Sequence, residues 1–453
     1  MRRYSFLIRI ITIGILMHLY VGVRLVPVLP GSPAVRDAAV ACLGLSIILI
    51  LFGMLAQAIE RQPLSDWLAW AGMLAMGFFS SLLVLTFARD VALLFVHVLD
   101  AALAAHWPLE QWQRNSAPVV PALALLASLA GFVNARRRAG VVTVEVPIDG
   151  LPNALDGFTI AQISDIHVGP TIKRDYVEAI VEAVNALRPD LIALTGDIVD
   201  GRVEQLAPHT RPLGQLQARH GVFLVTGNHE YYCGAHAWID EFERLGLTVL
   251  MNQHVVIGHG TACIVVAGVT DYSAGHFDAA HASDPAGALR GAPPHAAVRI
   301  LLAHQPRTAS AAVQAGYTLQ LSGHTHGGQF FPWNFFVRLQ QPFTAGLHRL
   351  SQLWVYTSRG TGYWGPPKRI GAPSEITLVR LVPARAGSRV PARPARASSV
   401  RHARRHHGHI DWPSRHDSRN SYFRHRAFDT LGQTAHLGRC WQGNAPIIPS
   451  LRR

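Results

Sequence analysis

The sequence predicts an α/β domain carried on membrane-spanning helices, and three observations predict it. Long uncharged apolar stretches fill the first third of the chain. Short β-branched runs alternate with helical patterns through the middle. Residues able to bind metal recur directly after those runs. The 453 residues allow about three units at ~150 residues each. Hydrophobic residues make up 49% and charged residues 15%, against ~25% charged in an ordinary soluble domain. That balance excludes wholesale disorder and implicates a membrane.

Residues 1–138 form the apolar region. Phe6–Val26 is a first long stretch, interrupted by Arg9, His18 and Arg24. Ala38–Ile59 and Trp67–Ala88 follow, and Pro118–Val133 is shorter but uncharged. A spanning helix needs ~20 apolar residues. A buried soluble helix would show a polar face, and the second and third stretches show none. Val91–His106 contains His97, Asp100 and His106; it is read as an extension of the third helix, an interfacial segment or a span of its own. Because an intramembrane Asp is costly, a non-spanning role is expected, giving about four spans. Arg2 and Arg3 precede the first span, and Arg136, Arg137 and Arg138 follow the last. Four spans put both clusters on one side, which the positive-inside rule makes the cytoplasm of a bacterial inner membrane. The opening Arg pair also resembles a twin-arginine export signal, but its spacing is off and several spans follow it.

Residues 140–382 read as a soluble α/β domain. Its expected strands are Val142–Val146, Thr159–Ile163, Leu191–Thr195, Val222–Thr226, Thr248–Met251, Cys263–Ala267, Arg299–Ala303, Thr318–Leu321, Trp354–Thr357 and Ile376–Leu381. Val177, Ile180, Val181, Val184 and Leu187 mark one helical face, which Pro189 terminates. Ser273–Pro294, rich in Ala, Gly, His and Pro, reads as a surface loop.

Residues 383–453 hold fourteen Arg, no Lys, three Asp and seven of the 24 histidines. Of the net charge of +13, +11 falls here, leaving +2 for the rest of the chain. With few aliphatic runs the tail cannot offset its ordering entropy, and disorder is expected. It lacks regularly interleaved aromatics, so nucleic acid is not supported as a partner. The four cysteines, Cys42, Cys233, Cys263 and Cys440, form no CxxC pair, which excludes a disulfide framework and a zinc ribbon.

Five groups sit at the expected strand exits: Ser164-Asp165-Ile166-His167, Gly196-Asp197-Ile198-Val199-Asp200, Gly227-Asn228-His229-Glu230, Ala303-His304-Gln305-Pro306 and Gly323-His324-Thr325-His326-Gly327-Gly328. The carboxyl edge of an open α/β sheet is where ligands bind. Each group alone has a plain explanation as an ordinary turn, with a histidine beside it in four of the five. Five in order, with glycines permitting close backbone approach, do not. Two Asp, one Asn and four His provide oxygen and imidazole donors without thiolate, which suits Mn, Fe or Zn in five- or six-coordinate sites. Seven ligands exceed the need of one ion and suit two divalent ions sharing a carboxylate.

In order and spacing these motifs resemble those of the calcineurin-like metallophosphoesterases. Ser358–Leu378 is similar to the bacterial branch with a membrane-anchored or exported catalytic domain. The resemblance covers roughly Val142–Val382. It implies a four-layer α/β/β/α sandwich and two divalent metal ions. Asp165, His167 and His326 would hold one, and Asn228, His304 and His324 the other. Asp197 would bridge them together with a hydroxide that attacks phosphorus. His229 would stabilise the transition state or protonate the leaving oxygen, oriented by Asp200. The expected activity is hydrolysis of a phosphomonoester, phosphodiester or pyrophosphate bond, on a lipid- or nucleotide-linked substrate. The competing reading is a non-catalytic metal-binding membrane module, which predicts a broken ligand set; here the set is intact. The oligomeric state is not legible.

Overall fold

The structure is a computed structural model that describes residues 2–56, 59 and 61–384. The disorder expected of the tail falls, apart from Pro383 and Ala384, outside the described residues.

Four helices are long and apolar enough to cross a membrane: α1 (Arg2–Leu25), α2 (Pro33–Leu55), α3 (Leu64–Leu103) and α4 (Leu109–Arg136). The stretches Trp67–Ala88 and Val91–His106 prove to be largely one element, because α3 runs for 40 residues without a break. No Pro or Gly separates the two stretches, so nothing stops the helix. At 1.5 Å per residue α3 is about 60 Å long, twice the ~30 Å hydrocarbon layer. The fourth helix begins at Leu109, well before the expected Pro118, and carries Pro118 and Pro121 inside it.

Pairwise contacts set the helix directions. Arg24 and Tyr20 of α1 bond Asp90 of α3, each at 2.7 Å, and His18 stacks on Phe79. So α1 and α3 run the same way. Gly53 of α2 and Gly72 of α3 meet so closely that a Cβ on Gly53 would stand 2.7 Å from the Gly72 Cα. Small residues at a crossing let backbones approach, as in other membrane helix pairs.

The domain that follows contains twelve strands among the described residues. They are β1 (Gly140–Ile148), β2 (Thr159–Ile163), β3 (Leu191–Leu194), β4 (Val222–Leu224), β5 (Thr248–Val249), β6 (Gln253–His259), β7 (Ala262–Gly268), β8 (Val298–Leu302), β9 (Leu319–Ser322), β10 (Gly346–Leu350), β11 (Leu353–Thr357) and β12 (Glu375–Pro383). The helices are α5 (Arg174–Ala186), α6 (Val203–Thr210), α7 (Asn228–Cys233), α8 (Ala235–Arg244), α9 (Ala309–Ala315) and α10 (Trp333–Gln340). One six-stranded sheet has the order β1-β12-β2-β3-β4-β5, the other β10-β11-β9-β8-β7-β6.

Both sheets are mixed. Strands β2 to β5 are parallel, as are β7, β8, β9 and β11. Ile160, Leu191, Phe223, Val266, Ile300, Leu319 and Tyr356 fill the space between the sheets. Ile180, Val184, Trp238 and Phe242 cover the outer face of the first sheet, and Ala309 and Ala312 that of the second. The result is the expected four-layer sandwich. The strands absent from the expected set, β6 (QHVVIGH) and β10 (GLHRL), are half-exposed sheet edges. The expected loop Ser273–Pro294 contains three short 3₁₀ turns.

The helix bundle and the α/β domain interlock. Lys368 donates to the carbonyl of Gly77 (2.8 Å), to Ser128 Oγ (3.2 Å) and to Ser81 Oγ. The Arg369 N–H donates to the Gly131 carbonyl at 2.9 Å, and Asn134 Nδ2 donates to the Arg369 carbonyl at 3.3 Å. A Cβ on Gly131 would stand 2.6 Å from the Lys368 Cγ. Gly131→Leu should therefore unseat the loop at a cost of about 1–3 kcal/mol. The check is the thermal unfolding midpoint of the full chain in detergent, which should fall by several degrees; an unchanged midpoint would show that the seat contributes nothing.

Candidate metal centre

The parallel strands deliver the chemistry to one place. β2, β3 and β4 of one sheet and β8 and β9 of the other end at Ile163, Leu194, Leu224, Leu302 and Ser322. Each expected group begins at or just beyond one of these ends. The turns leaving β2 and β3 then run alongside each other. Asp165 N–H donates to Gly196 O (3.0 Å), His167 N–H to Asp197 O (3.1 Å) and Asp200 N–H to Val168 O (2.8 Å).

Eight of the nine candidate residues converge in pairs or groups, and Asn228 joins them as the chain neighbour of His229. His167 Nε2 lies 3.0 Å from His326 Nε2, which is 3.4 Å from Asp165 Oδ1. His304 Nε2 lies 3.0 Å from Asp197 Oδ2 and 3.2 Å from His324 Nδ1. Three overlapping groups have the reach to hold a cation: Asp165, His167 and His326; Asp197, His304 and His324; and His167, Asp197 and His229. Asp197, a member of the second group, stands 4.0 Å from His167 Nε2 of the first and 3.8 Å from His229 Nε2.

The turns are strained to do this. Asp165, His167, Asp197, His324 and His326 all have φ between 50° and 71°, a left-handed region that residues other than glycine rarely adopt. Such strain persists only where the surroundings over-determine it. One source is close approach: a Cβ on Gly323 would collide with Ser164 Oγ and Asp165 Oδ2. In that space the His324 N–H donates to both Asp165 oxygens, at 2.9 and 3.1 Å.

A second source is a residue to which the sequence assigned no role. Glu230 is fully buried. Its carboxylate accepts from the N–H groups of Gly227 (2.6 Å), Asp197 (3.0 Å), Ile198 (2.8 Å) and Val199 (3.3 Å). One side chain thus ties the turn after β4 to the turn after β3. Burial, reinforced by Asp197, pushes its carboxyl up to about 6. The signal lay in the motif Gly227-Asn228-His229-Glu230, but three of Glu230's four partners, Asp197, Ile198 and Val199, lie in the turn after β3. Asp200 also does more than expected: its Oδ1 accepts from His229 Nδ1 at 2.5 Å and from His167 Nδ1 at 2.9 Å. It therefore orients a candidate ligand as well as His229.

The donor set fits divalent cations on the site's own hydrogen bonding. His304 Nδ1 donates to Thr195 O at 2.7 Å, so Nε2 turns its lone pair toward the Asp197 carboxylate. Two acceptors so close need a proton or a cation between them. Burial would lower the His304 imidazole, but Asp197 outweighs it and pushes it up to about 10. His229, beside Asp197 and Asp200, is likewise pushed up to about 9 against burial. Buried Asn228 Oδ1 has no hydrogen-bond partner, an orphan of the kind a cation satisfies. His326 fits least directly. Arg369 Nη2 donates to its Nδ1 at 3.1 Å, which leaves the proton on Nε2; to serve as a ligand there, the ring needs Arg369 to release Nδ1.

A crevice opens beside these residues. His167, Asp200, Tyr363 and Trp364 line one side, and Gly53, Met54, Ala69 and Met73 of α2 and α3 line the other. The site therefore faces the anchor.

The sequence model of the calcineurin-like phosphoesterase family matches residues 158–328. A transmembrane protein with metallophosphoesterase domain from Danio rerio is 33% identical over 395 residues, covering 84% of this chain and 89% of that one. A protein of the same description from Bos taurus is 41% identical over 277 residues, covering 58% of this chain and 62% of that one. An uncharacterized metallophosphoesterase of Helicobacter pylori is 38% identical over 255 residues, covering 56% of this chain and 66% of that one.

Glu230→Ala should leave buried backbone N–H groups unpaired. At about 1–3 kcal/mol for each unsatisfied group, the thermal midpoint of the full chain should drop sharply, and the metal content after purification should fall with it. Glu230→Gln, which keeps an acceptor oxygen, should lose less of both. Equal behaviour of the two variants would remove the clamp.

Proposed function

The chain belongs to the calcineurin-like phosphoesterase family, and from that premise we propose that it is a membrane-anchored hydrolase of phosphoesters that uses two divalent metal ions. The observation that carries the reading is the convergence of Asp165, His167, His326, His304 and His324 around the buried Asp197 carboxylate. In this reading Asp165, His167 and His326 hold one ion, Asn228, His304 and His324 the other, and Asp197 contributes to both. Mn, Fe or Zn would suit these donors. When bound, such ions supply Lewis acidity, lowering the pKa of water and neutralising phosphoryl oxygens.

The chain's own residues do the rest. His229, held through Nδ1 by Asp200, carries a proton at neutral pH and presents it from Nε2 to the leaving oxygen. That protonation offsets the cost of expelling an alkoxide. Asp200, by holding the His167 ring through Nδ1, leaves its Nε2 lone pair turned toward the cluster. The bond cleaved is a phosphomonoester, phosphodiester or pyrophosphate.

The crevice between His167 and Asp200 on one side and Met54, Ala69 and Met73 on the other favours a substrate with a lipid tail. Its phosphate would face the histidines and its tail the apolar helices. The Arg clusters at the start of α1 and the end of α4 support a cytoplasmic catalytic domain on a bacterial inner membrane.

The test uses the full chain in detergent with Mn²⁺ and bis-p-nitrophenyl phosphate. Hydrolysis should occur, stop on chelation and return with Mn²⁺. His229→Ala should lower kcat by about 10²–10⁴ while keeping its metal, whereas Asp197→Asn should lose metal as well. Full metal loading without hydrolysis of this or a vesicle-borne phosphodiester would return the non-catalytic reading. For the lipid-tailed substrate, Met73→Glu should raise KM for the vesicle-borne phosphodiester and leave the soluble diester unaffected; equal effects on both would sink it.

A further inference from the structure

Helix α10 has its polarity inverted for a surface in water. Its exposed side chains are Trp333, Phe335, Phe336, Arg338 and Leu339, the last 68% exposed, and exposed Phe331 precedes them. The positions more covered by protein are Asn334, Val337 and Gln340. A helix packed on a soluble core shows the reverse. Contiguous exposed apolar surface of this kind marks a contact site.

The place of α10 in the fold identifies what it contacts. Gln329, four residues before the helix, donates through Nε2 to the carbonyls of Trp364 (2.9 Å) and Pro366 (3.1 Å). The Ile370 N–H donates back to the Gln329 carbonyl at 3.0 Å. The Lys368 Nζ sits 5.4 Å from the centre of the Phe330 ring. The segment leading into α10 is thus bonded to the loop that Lys368 seats on Gly77, Ser81 and Ser128. Gly77 lies ten residues along α3 from Trp67, about 15 Å at 1.5 Å per residue. It falls within the apolar stretch Trp67–Ala88 of that helix. The outer faces of α1, α2 and α4 expose Leu16, Leu45, Ile48, Leu126 and Leu129 around the same bundle. The segment that leads into α10 is therefore joined, through one loop, to a helix bundle whose outer faces are apolar.

We propose that α10, with Phe331, is a second membrane contact of the catalytic domain. It lies in the bilayer that holds the anchor, with Phe331, Trp333, Phe335, Phe336 and Leu339 among the acyl chains. Arg338 extends its stem along the apolar layer and reaches the lipid phosphates. The catalytic domain is then held at two places, by its loop between α3 and α4 and by α10, rather than swinging on a tether. This inference rests on the spans and not on the proposed hydrolysis.

The test places single cysteines in full-length protein whose Cys42, Cys233, Cys263 and Cys440 are replaced by Ala. Phe336→Cys, Leu339→Cys and, as a water-facing control, Glu243→Cys carry an environment-sensitive fluorophore in phosphatidylcholine–phosphatidylglycerol nanodiscs. The labels at 336 and 339 should emit to the blue of the control. Doxyl-labelled lipid should quench them at least roughly threefold more than the control, as expected for a helix lying in the interface, and aqueous iodide should quench them less. Iodide quenching equal to the control at both positions would overturn the proposal. So would a cross-link between the same position of two copies, which would make the patch a dimer contact. Leu339→Cys gives the answer if Phe336→Cys fails to fold.

Discussion

The site depends on keeping several charges in a volume from which water is excluded. Asp165, Asp197, Asp200, His167, His229 and His304 are buried or nearly so and lie within a few ångströms of one another. An isolated charge at such depth would be prohibitive. Here each carboxylate is compensated by imidazoles and by backbone N–H groups, and Asp197 pushes His229 and His304 well above the ordinary imidazole range; a cation held by His304 would take the place of its proton. Much of the surrounding architecture serves that compensation. Glu230 gathers four backbone donors, Asp200 holds two rings, and the left-handed turns aim carboxylates and imidazoles inward. A cation entering the cluster would meet charge already organised for it, which is how a protein avoids reorganising at the moment of reaction.

The same economy links the site to the anchor. Arg369 is buried and donates to the carbonyls of Gly362 and Ala372 and to the His326 ring. Its own backbone is bonded to Gly131 and Asn134 of α4. Lys368, next in the chain, is seated between α3 and α4, where burial lowers its amine to about 8. Two consecutive residues therefore connect a membrane helix to a candidate ligand within a few bonds. The anchor is part of the wall of the site, since Met54, Ala69 and Met73 line its crevice.

What could be read in advance followed physical rules of limited range. The exits of β2, β3, β4, β8 and β9 were legible because buried parallel strands read as short β-branched runs and the chemistry follows them immediately. The edge strands β6 and β10 were not, because one neighbour and half-exposure leave no distinctive pattern. The continuity of α3 through Val91–Leu103 was open to inspection, there being no helix breaker, but hydropathy alone divided it at Arg89 and Asp90. Those two charges are accommodated by Arg24, Tyr20, Ser116 and Gln113, partners from two other helices. Glu230 and Arg369 stood in plain view within recognised motifs. Their roles were hidden because their partners come from distant parts of the chain.

The sequence by itself determined the anchor, the α/β class and the identity of the nine candidate residues. Each of these is a property of local composition and order: apolar length, strand periodicity, and a donor placed one or two residues past a strand. Only the tertiary structure decided that Asp197 would stand within reach of two clusters, that Asp200 would hold two histidines, that Glu230 would tie two turns together, that the crevice would open against α2 and α3, and that α10 would expose its apolar side. These are relations between segments far apart in the chain. They follow from the pairing of strands and the seating of one loop in a helix bundle, which no local pattern records.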